Sequence, residues 1–484
     1  MKNNHLPIAV IGAGAGGLPA AVALAEAGFQ VVLIEQGGEV KKESFKTNQY
    51  DFELGAPPWG QSSGNWRGPA KLQQGIGLGG STLYFQAVSH YPEESVLSDW
   101  GLPFPVFRKY QAETVDFLQI AGEVQPEHSF NPLSEHLFVA TKKLGWHARH
   151  APVAILSEPH QGRPACNNCG LCVYGCRPGD KSSADNTWLP RAKKTGRVRI
   201  LTNTRVEQLQ LADEHRVKAL KLTNAKGSST LEVSAAVLAA GVLETPYLLS
   251  KSQQTHAPDG IGNQNIGHFL TATIWHSLLV SLEQITGSSH AGIPIDLLVE
   301  EFVSRGILLF QGRNLAGITG PASAAKYYMN QHSHVGLRHW MRETYPKLAG
   351  LAAYAESSVG YEDGILKIKD KTYNKALRSS DYQTVNEMRK LLHQWSETAN
   401  AKVLAEMGSS EYPFIGAMYR GTCRMGLNPK DSAVDPDGRL WGYDNVVVSD
   451  ASVLGRGLIA NPSLTLQTLG LYIGRQLAQR LKQA

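Results

Sequence analysis

Residues 7–40, PIAVIGAGAGGLPAAVALAEAGFQVVLIEQGGEV, limit the possible folds of this chain more than any other stretch. Ile8 to Ile11 read as a buried strand that runs straight into Gly12-x-Gly14-x-x-Gly17. The alanine-rich segment to about Ala27 reads as a helix stopped by Gly28, and Val31 to Ile34 read as a second strand ending at Glu35. Each glycine has its own mechanical task. Gly12 permits the tight turn, Gly14 lets a pyrophosphate reach the backbone, and Gly17 lets helix and sheet pack closely. The helix N-terminus then faces the phosphates, and Glu35 stands where an acid binds ribose hydroxyls. Together these features predict an α/β fold with a Rossmann-like dinucleotide-binding domain. An acid at position 35, rather than arginine, favours NAD or FAD over NADP.

At 484 residues and 42% apolar content, the chain is long enough for several lobes sharing cores. Its net charge of +5 comes from well-mixed charges, so no basic run points to nucleic acid or a membrane surface. No uninterrupted apolar stretch reaches the roughly 18 residues of a membrane-spanning helix. The first thirty residues imitate a secretory signal, but the glycines from Gly12 to Gly17 and the nucleotide pattern up to Glu35 argue against one. The expected location is cytoplasmic, or periplasmic only if the chain is exported with a partner that carries the signal. Five cysteines in a chain of this length do not form a secreted disulfide framework.

Later segments separate FAD from NAD. GIGLGGST (75–82), SDWGLPFPVFRKY (98–110) and AGVLETP (240–246) occur in that order. They are followed by GTCRMG (421–426), VDPDGRLWG (434–442), VVVSDAS (446–452) and NPSLT (461–465). In sequence and order these resemble the motifs of the glucose–methanol–choline (GMC) flavoprotein oxidoreductases, across nearly the whole chain. The resemblance implies an FAD-binding domain from residues 1–95, 190–270 and 411–484. It also implies a connecting segment, 96–189, and an α+β substrate domain, 271–410, made of a mixed sheet backed by helices. Gly79, Gly80 and Ser81 would lie against the FAD pyrophosphate and flavin, and small residues suit a backbone that touches the cofactor. Val206, in the strand-like run 200–209, would hold the adenine through its backbone. Asp450 would lie near the phosphates and ribityl chain.

Asn461-Pro462 suits a helix start on physical grounds, with Asn as N-cap and Pro at the first helical position. In the family this helix points at the pyrimidine end of the flavin, and the Asn461 position carries the residue that binds the substrate oxygen. A departure stands opposite it. The family's catalytic histidine, three residues before the Gly-Thr of GTC, is replaced here by Met418, which cannot act as a base. Tyr419 is kept with Asn461 and Met418 as a candidate catalytic position, although it and Arg420 are expected to point elsewhere. Three readings stay open: a base supplied by His276, His332, His334 or His339, a substrate that needs no base, or a flavoprotein without net alcohol oxidation. Phe85, where the first motif usually has Asn or His, is a second departure.

The hairpin 166–181 holds Cys166, Cys169, Cys172 and Cys176, spaced C-x2-C-x2-C-x3-C, which is the ferredoxin pattern for iron–sulfur binding. CGLCVYGCRPGDK (169–181) also resembles the cysteine-rich hairpin of many GMC proteins. The gaps of six and four between Cys166, Cys172 and Cys176 resemble those of sugar dehydrogenases that hold a [3Fe–4S] cluster. A [3Fe–4S] or [4Fe–4S] cluster is the expectation, with a zinc site or a plain structural turn as alternatives. The implied function is an FAD-dependent dehydrogenase for a small-molecule substrate. It would take hydride from an alcohol, sugar or amine carbon and pass electrons through the cluster to an outside acceptor, an electron-acceptor protein or small subunit. A lyase or decarboxylase without net redox turnover, and an electron-transfer subunit of a complex, are the alternatives.

Overall fold

In the computed structural model, the first strand, Ile8–Ile11, lies at the centre of a parallel five-stranded sheet. Across that sheet the order is Val446–Val448, Ala235–Leu238, Ile8–Ile11, Val31–Ile34, Val198–Leu201, and every pairing is parallel. The structure describes residues 6–45, 67, 74–253, 257, 259–285, 291–312, 321–332, 334–408 and 414–483. Of the expected FAD-binding segment 1–95, residues 1–5 and most of 46–73 lie outside the described residues. The central strands are entirely apolar and buried on both faces, as a covered parallel sheet requires.

Helix Gly17–Glu26 covers one face, and its alanines are buried because a second helix, Ser463–Gln483, packs against it. That approach depends on two glycines. A Cβ on Gly470 would stand 2.4 Å from the Gly16 carbonyl oxygen, and one on Gly474 would stand 2.8 Å from that of Ala20. The last helix begins one residue later than the Asn-Pro pair predicts, with the Leu466 N–H donating to the Pro462 carbonyl at 2.8 Å. Pro462 thus sits in the capping position, where its missing N–H costs nothing.

The run 200–209 divides instead of forming one strand. Val198–Leu201 joins the parallel sheet, Asn203 turns the chain with φ 50°, and Arg205–Leu211 opens an antiparallel three-stranded sheet. Asn tolerates that left-handed conformation better than most residues.

A seven-stranded sheet forms the other lobe. Its order is Lys402–Met407, Thr271–Ser281, Leu348–Glu356, Ile307–Gly312, Ile295–Val299, Ala148–His150, and Phe414–Arg420 also pairs with Thr271–Ser281. It is a sheet backed by helices, as the sequence implies, and every pairing in it is antiparallel rather than mixed. Two of its strands, Ala148–His150 and Phe414–Arg420, come from outside 271–410.

Helix Ser379–Thr398 lies on this sheet through Val385, Met388, Leu392 and Trp395, a spacing that keeps one helix face apolar. Helical periodicity in the sequence continues to Gly408, but the helix ends at Thr398. Asn400 takes φ 52°, and the chain returns as the strand Lys402–Met407. Pairing with Thr271–Ser281 outweighs local helix propensity there.

Candidate active site

The loops that follow the parallel strands enclose a cavity of about 470 Å³, at the strand ends where open α/β sheets bind ligands. Gly12 makes its turn with φ 105°, and a Cβ there would stand 2.2 Å from the Ala239 carbonyl oxygen. The second glycine-rich loop crosses the first at Gly80, where an added Cβ would stand 2.8 Å from the Gly14 Cα. Backbone therefore touches backbone at this crossing, and Gly12, Gly14, Gly80 and Ser81 all line the cavity. Gly17 and Gly79 stand just behind. A Cβ on Gly17 would strike the Gly12 carbonyl oxygen at 2.0 Å, and Gly79 holds φ 106° to start the turn Gly80–Leu83.

Two buried carboxylates brace the loops. Glu35 lines the cavity and accepts from the backbone N–H groups of Ala13 (3.0 Å), Gly37 (2.9 Å) and Gly77 (3.1 Å), tying both glycine loops to one side chain. Burial raises its pKa above the ordinary carboxylate value, and the three N–H donors work against that rise. Asp450 lines the cavity from the other side. It accepts from Gly241 N–H (2.9 Å), Thr245 Oγ1 (2.6 Å) and Ser452 N–H (2.8 Å), and burial raises its pKa as well. Thr245 lies inside the 240–246 motif, and only the folded structure brings its hydroxyl to Asp450 across a sequence separation of 205 residues. Val206 also lines the cavity, beside the Arg205–Glu244 ion pair at 3.0 Å.

Asn461 and Pro462 line the same cavity, as do Tyr84, Phe85, Met418 and Tyr419, the last packing with Val242, Leu243 and Tyr247. Met418 stands at a bulge in Phe414–Arg420 and has φ 56°, a conformation uncommon for a side chain of this kind. The bulge turns Tyr419 into the cavity wall, correcting the expectation that it points elsewhere. The Tyr419 ring meets that of Tyr373 edge-on at 6.0 Å. Burial raises the phenol pKa of Tyr419 well above its ordinary value, and burial with the nearby Asp185 charge raises that of Tyr84.

Among the described residues no histidine lines the cavity, and the structure places the four proposed bases elsewhere. His276 is fully buried within the antiparallel sheet, its Nε2 2.9 Å from Glu406 Oε1. His332, His334 and His339 are exposed on or beside the helices Pro321–His332 and Leu337–Glu343. Their positions in the sheet and on the surface are set by tertiary packing, which spacing in the sequence does not encode.

The glycine cradle, the two carboxylates and a cavity this large fit an FAD molecule. The family model described as "GMC oxidoreductase" matches residues 32–271 in its N-terminal part and 370–470 in its C-terminal part, and an "FAD binding domain" model matches 8–46. The chain belongs to the GMC oxidoreductase family. Like other GMC proteins it is an FAD-dependent oxidoreductase.

One relative, 2-methyl-1,2-propanediol dehydrogenase of Mycolicibacterium austroafricanum, is 25% identical over 98% of this chain and 95% of its own. A long-chain-alcohol oxidase of Arabidopsis thaliana is 25% identical over 98% of this chain and 67% of its own. Paromamine 6'-oxidase of Streptomyces fradiae is 26% identical over 97% and 91%. Pyridoxine 4-oxidase from Mesorbium loti superimposes with a TM-score of 0.70 at 17% identity, covering 99% of this chain and 100% of that one. Formate oxidase of Aspergillus oryzae gives 0.67 at 14% identity, covering 100% and 99%. These two structures share the GMC fold.

The cysteine hairpin packs against this GMC cavity through Lys181. Its fully buried ammonium donates to the carbonyls of Leu83 (2.8 Å), Phe85 (3.3 Å) and Cys172. Cys166, Cys169, Cys172 and Cys176 are all free thiols. Burial, followed by the charge of Asp180, pushes the Cys176 thiol up to about 11. Among the described residues no three His, Cys, Asp or Glu side chains converge so as to hold a metal ion. The hairpin as it stands therefore does not fit an iron–sulfur cluster or zinc, because the spacing of ligand residues does not by itself converge their sulfurs. Among the described residues no helix is long and apolar enough to cross a membrane.

Proposed function

We propose that this GMC protein oxidises the CH–OH carbon of a small alcohol or sugar. The observation that carries this reading is the convergence of both glycine loops, the 240–246 segment, Asp450 and Asn461 on one cavity. Bound FAD supplies the acceptor for a hydride leaving the substrate carbon. The loops Gly12–Gly17 and Gly79–Ser81 hold the pyrophosphate, Glu35 binds the ribose hydroxyls with the acceptor capacity its three backbone bonds leave free, and Val206 holds the adenine through its backbone. Asn461 binds the substrate oxygen. Tyr84, Phe85, Met418 and Tyr419 shape a wall that admits the carbon skeleton. The alcohol and sugar donors named for its relatives support this class of substrate.

The missing base favours a second reading, an amine donor. The lone pair of a neutral amine drives the hydride off its carbon and leaves an iminium ion, so no proton has to be removed. An alcohol must also give up its hydroxyl proton, and neither the Met418 thioether nor the neutral phenols of Tyr84 and Tyr419 can take it. In the first reading that proton therefore passes directly to solvent water, without general-base assistance. The onward route of electrons through a cysteine-bound cluster lacks a converged ligand set, so this proposal ends at hydride transfer, with an external acceptor completing turnover.

The test is anaerobic. The purified protein is mixed with alcohols, sugars and amines while the visible flavin band is recorded. Bleaching by an alcohol or sugar supports the first reading, and bleaching by amines alone supports the second. A substrate consumed without any bleaching overturns both in favour of lyase chemistry.

A further inference from the structure

Arg420 is fully buried and does not line the cavity, yet it ties together the segments that carry two cavity-lining residues, Met418 and Asn461. Its Nη1 donates to the carbonyl of Met418 at 2.9 Å, two residues back along its own bulged strand. Its Nη2 donates to the carbonyl of Leu458, three residues before Asn461, and to Glu356 Oε1 at the end of Leu348–Glu356. The second oxygen of Glu356 accepts from the Gly457 N–H at 2.6 Å. One guanidinium and one carboxylate therefore grip both the backbone that places Met418 and the loop that delivers Asn461.

The arrangement is costly unless it has a purpose. Burying a cation is expensive, and an apolar pair of similar volume is often neutral or better for stability. A planar guanidinium, however, reaches several acceptors in a fixed geometry, which an ammonium cannot do. Met418 also holds φ 56°, a conformation that persists in a non-glycine residue only when its surroundings over-determine it. The bond from Arg420 to the Met418 carbonyl is such a constraint.

We infer that Arg420, with Glu356 as its counter-ion, is a positioning residue that sets the distance between the cavity-lining residues Met418 and Asn461. The inference concerns the walls of the site. Only its kinetic readout rests on the oxidation proposed above.

The experiment compares Arg420→Met, Arg420→Lys and the double variant Arg420→Met/Glu356→Leu, each loaded with FAD, with the wild type. Stability, FAD content, the visible circular dichroism of bound FAD, and amide exchange of the peptides spanning 417–421 and 456–462 are measured. The rate of flavin bleaching is measured with any donor that bleaches the wild type. A purely structural pair predicts that the double variant, its charges removed together, recovers both stability and rate. Positioning predicts that the double variant recovers stability while its rate stays down by about 100-fold, the scale of a misplacement of about 1 Å. It also predicts that amide exchange at 456–462 rises by about tenfold and that the flavin dichroism changes. Arg420→Lys, which keeps the charge but not the fork, falls between the two. A double variant whose rate, exchange and dichroism match the wild type overturns the inference, even if Arg420→Met alone fails to fold. If no donor bleaches the wild type, the oxidation proposal fails by itself, and exchange and dichroism still decide the role of Arg420.

Discussion

In the parallel sheet the decisive contacts are between backbone atoms. A methyl group on Gly12 would stand 2.2 Å from the Ala239 carbonyl oxygen, and one on Gly16 would stand 1.8 Å from that of Ser449. In the antiparallel sheet the decisive contacts are between side chains, where Trp395, Leu392 and Met388 fill the space above Ile274, Leu278 and Leu351. The first region must leave room for a pyrophosphate beside its main chain, so a single carbon is too much. The second has only to fill volume, and it gains shape from many exchangeable apolar groups. Met418 and Tyr419 line the cavity where the two sheets meet, and among the described residues the one strand of the antiparallel sheet that reaches it, Phe414–Arg420, is bulged.

The comparison can be broken at either side. Gly12→Ala is the harshest change, since it meets both the Ala239 carbonyl and a positive φ. It should cost on the order of 4 kcal/mol or more and abolish FAD retention, read from the flavin absorbance of the purified protein. Trp395→Ala should cost about 3–5 kcal/mol in urea unfolding, with the folded fraction still holding FAD one to one, because that core is remote from the glycine loops. A loss of FAD equal to that of Gly12→Ala would erase the distinction between the two regions.

Met418→His restores a base where the backbone already has the left-handed conformation that His tolerates comparatively well. Its expected effect is a gain of about 100-fold in alcohol-driven bleaching, the lower end of general-base contributions. That gain should fall away below about pH 6.5, where imidazole protonates. The wild type should instead be flat from about pH 6 to 9. Burial raises the Tyr84 and Tyr419 phenol pKa values, so both stay neutral throughout, and among the described residues no histidine lines the cavity to titrate. A wild-type inflection near neutrality would mean that a base reaches the site from elsewhere. The smallest effect belongs to Asn400→Ala, which should cost about 1 kcal/mol by forcing alanine into φ 52° at the helix-to-strand turn, with bound FAD undisturbed.

The nucleotide half was the legible half. The glycine loops, Glu35 and the closing motifs place eight candidate positions on one cavity: Gly12, Gly14, Glu35, Gly80, Ser81, Asp450, Asn461 and Pro462. Each of those signals is local, a turn that admits no side chain or a helix start that favours certain residues. The split of 200–209, the return of the chain at Asn400 and the inward turn of Tyr419 were not legible, because each depends on a strand partner distant in sequence. Lys181 and Arg420 are the sharpest cases. Written in a sequence, a lysine or arginine reads as a solvated charge, and only folding shows one fully buried among backbone carbonyls.

By itself the sequence determined the nucleotide-binding loop, the FAD-dependent oxidoreductase family and the absence of the usual histidine at Met418, since these follow from residue identity at short spacing. Tertiary structure decided that, among the described residues, no histidine lines the cavity and no three ligand side chains converge on a metal. It also decided that a buried Arg420–Glu356 pair grips both the strand that carries Met418 and the loop before Asn461. Convergence of groups distant in the chain depends on the packing of whole elements, which no local spacing specifies.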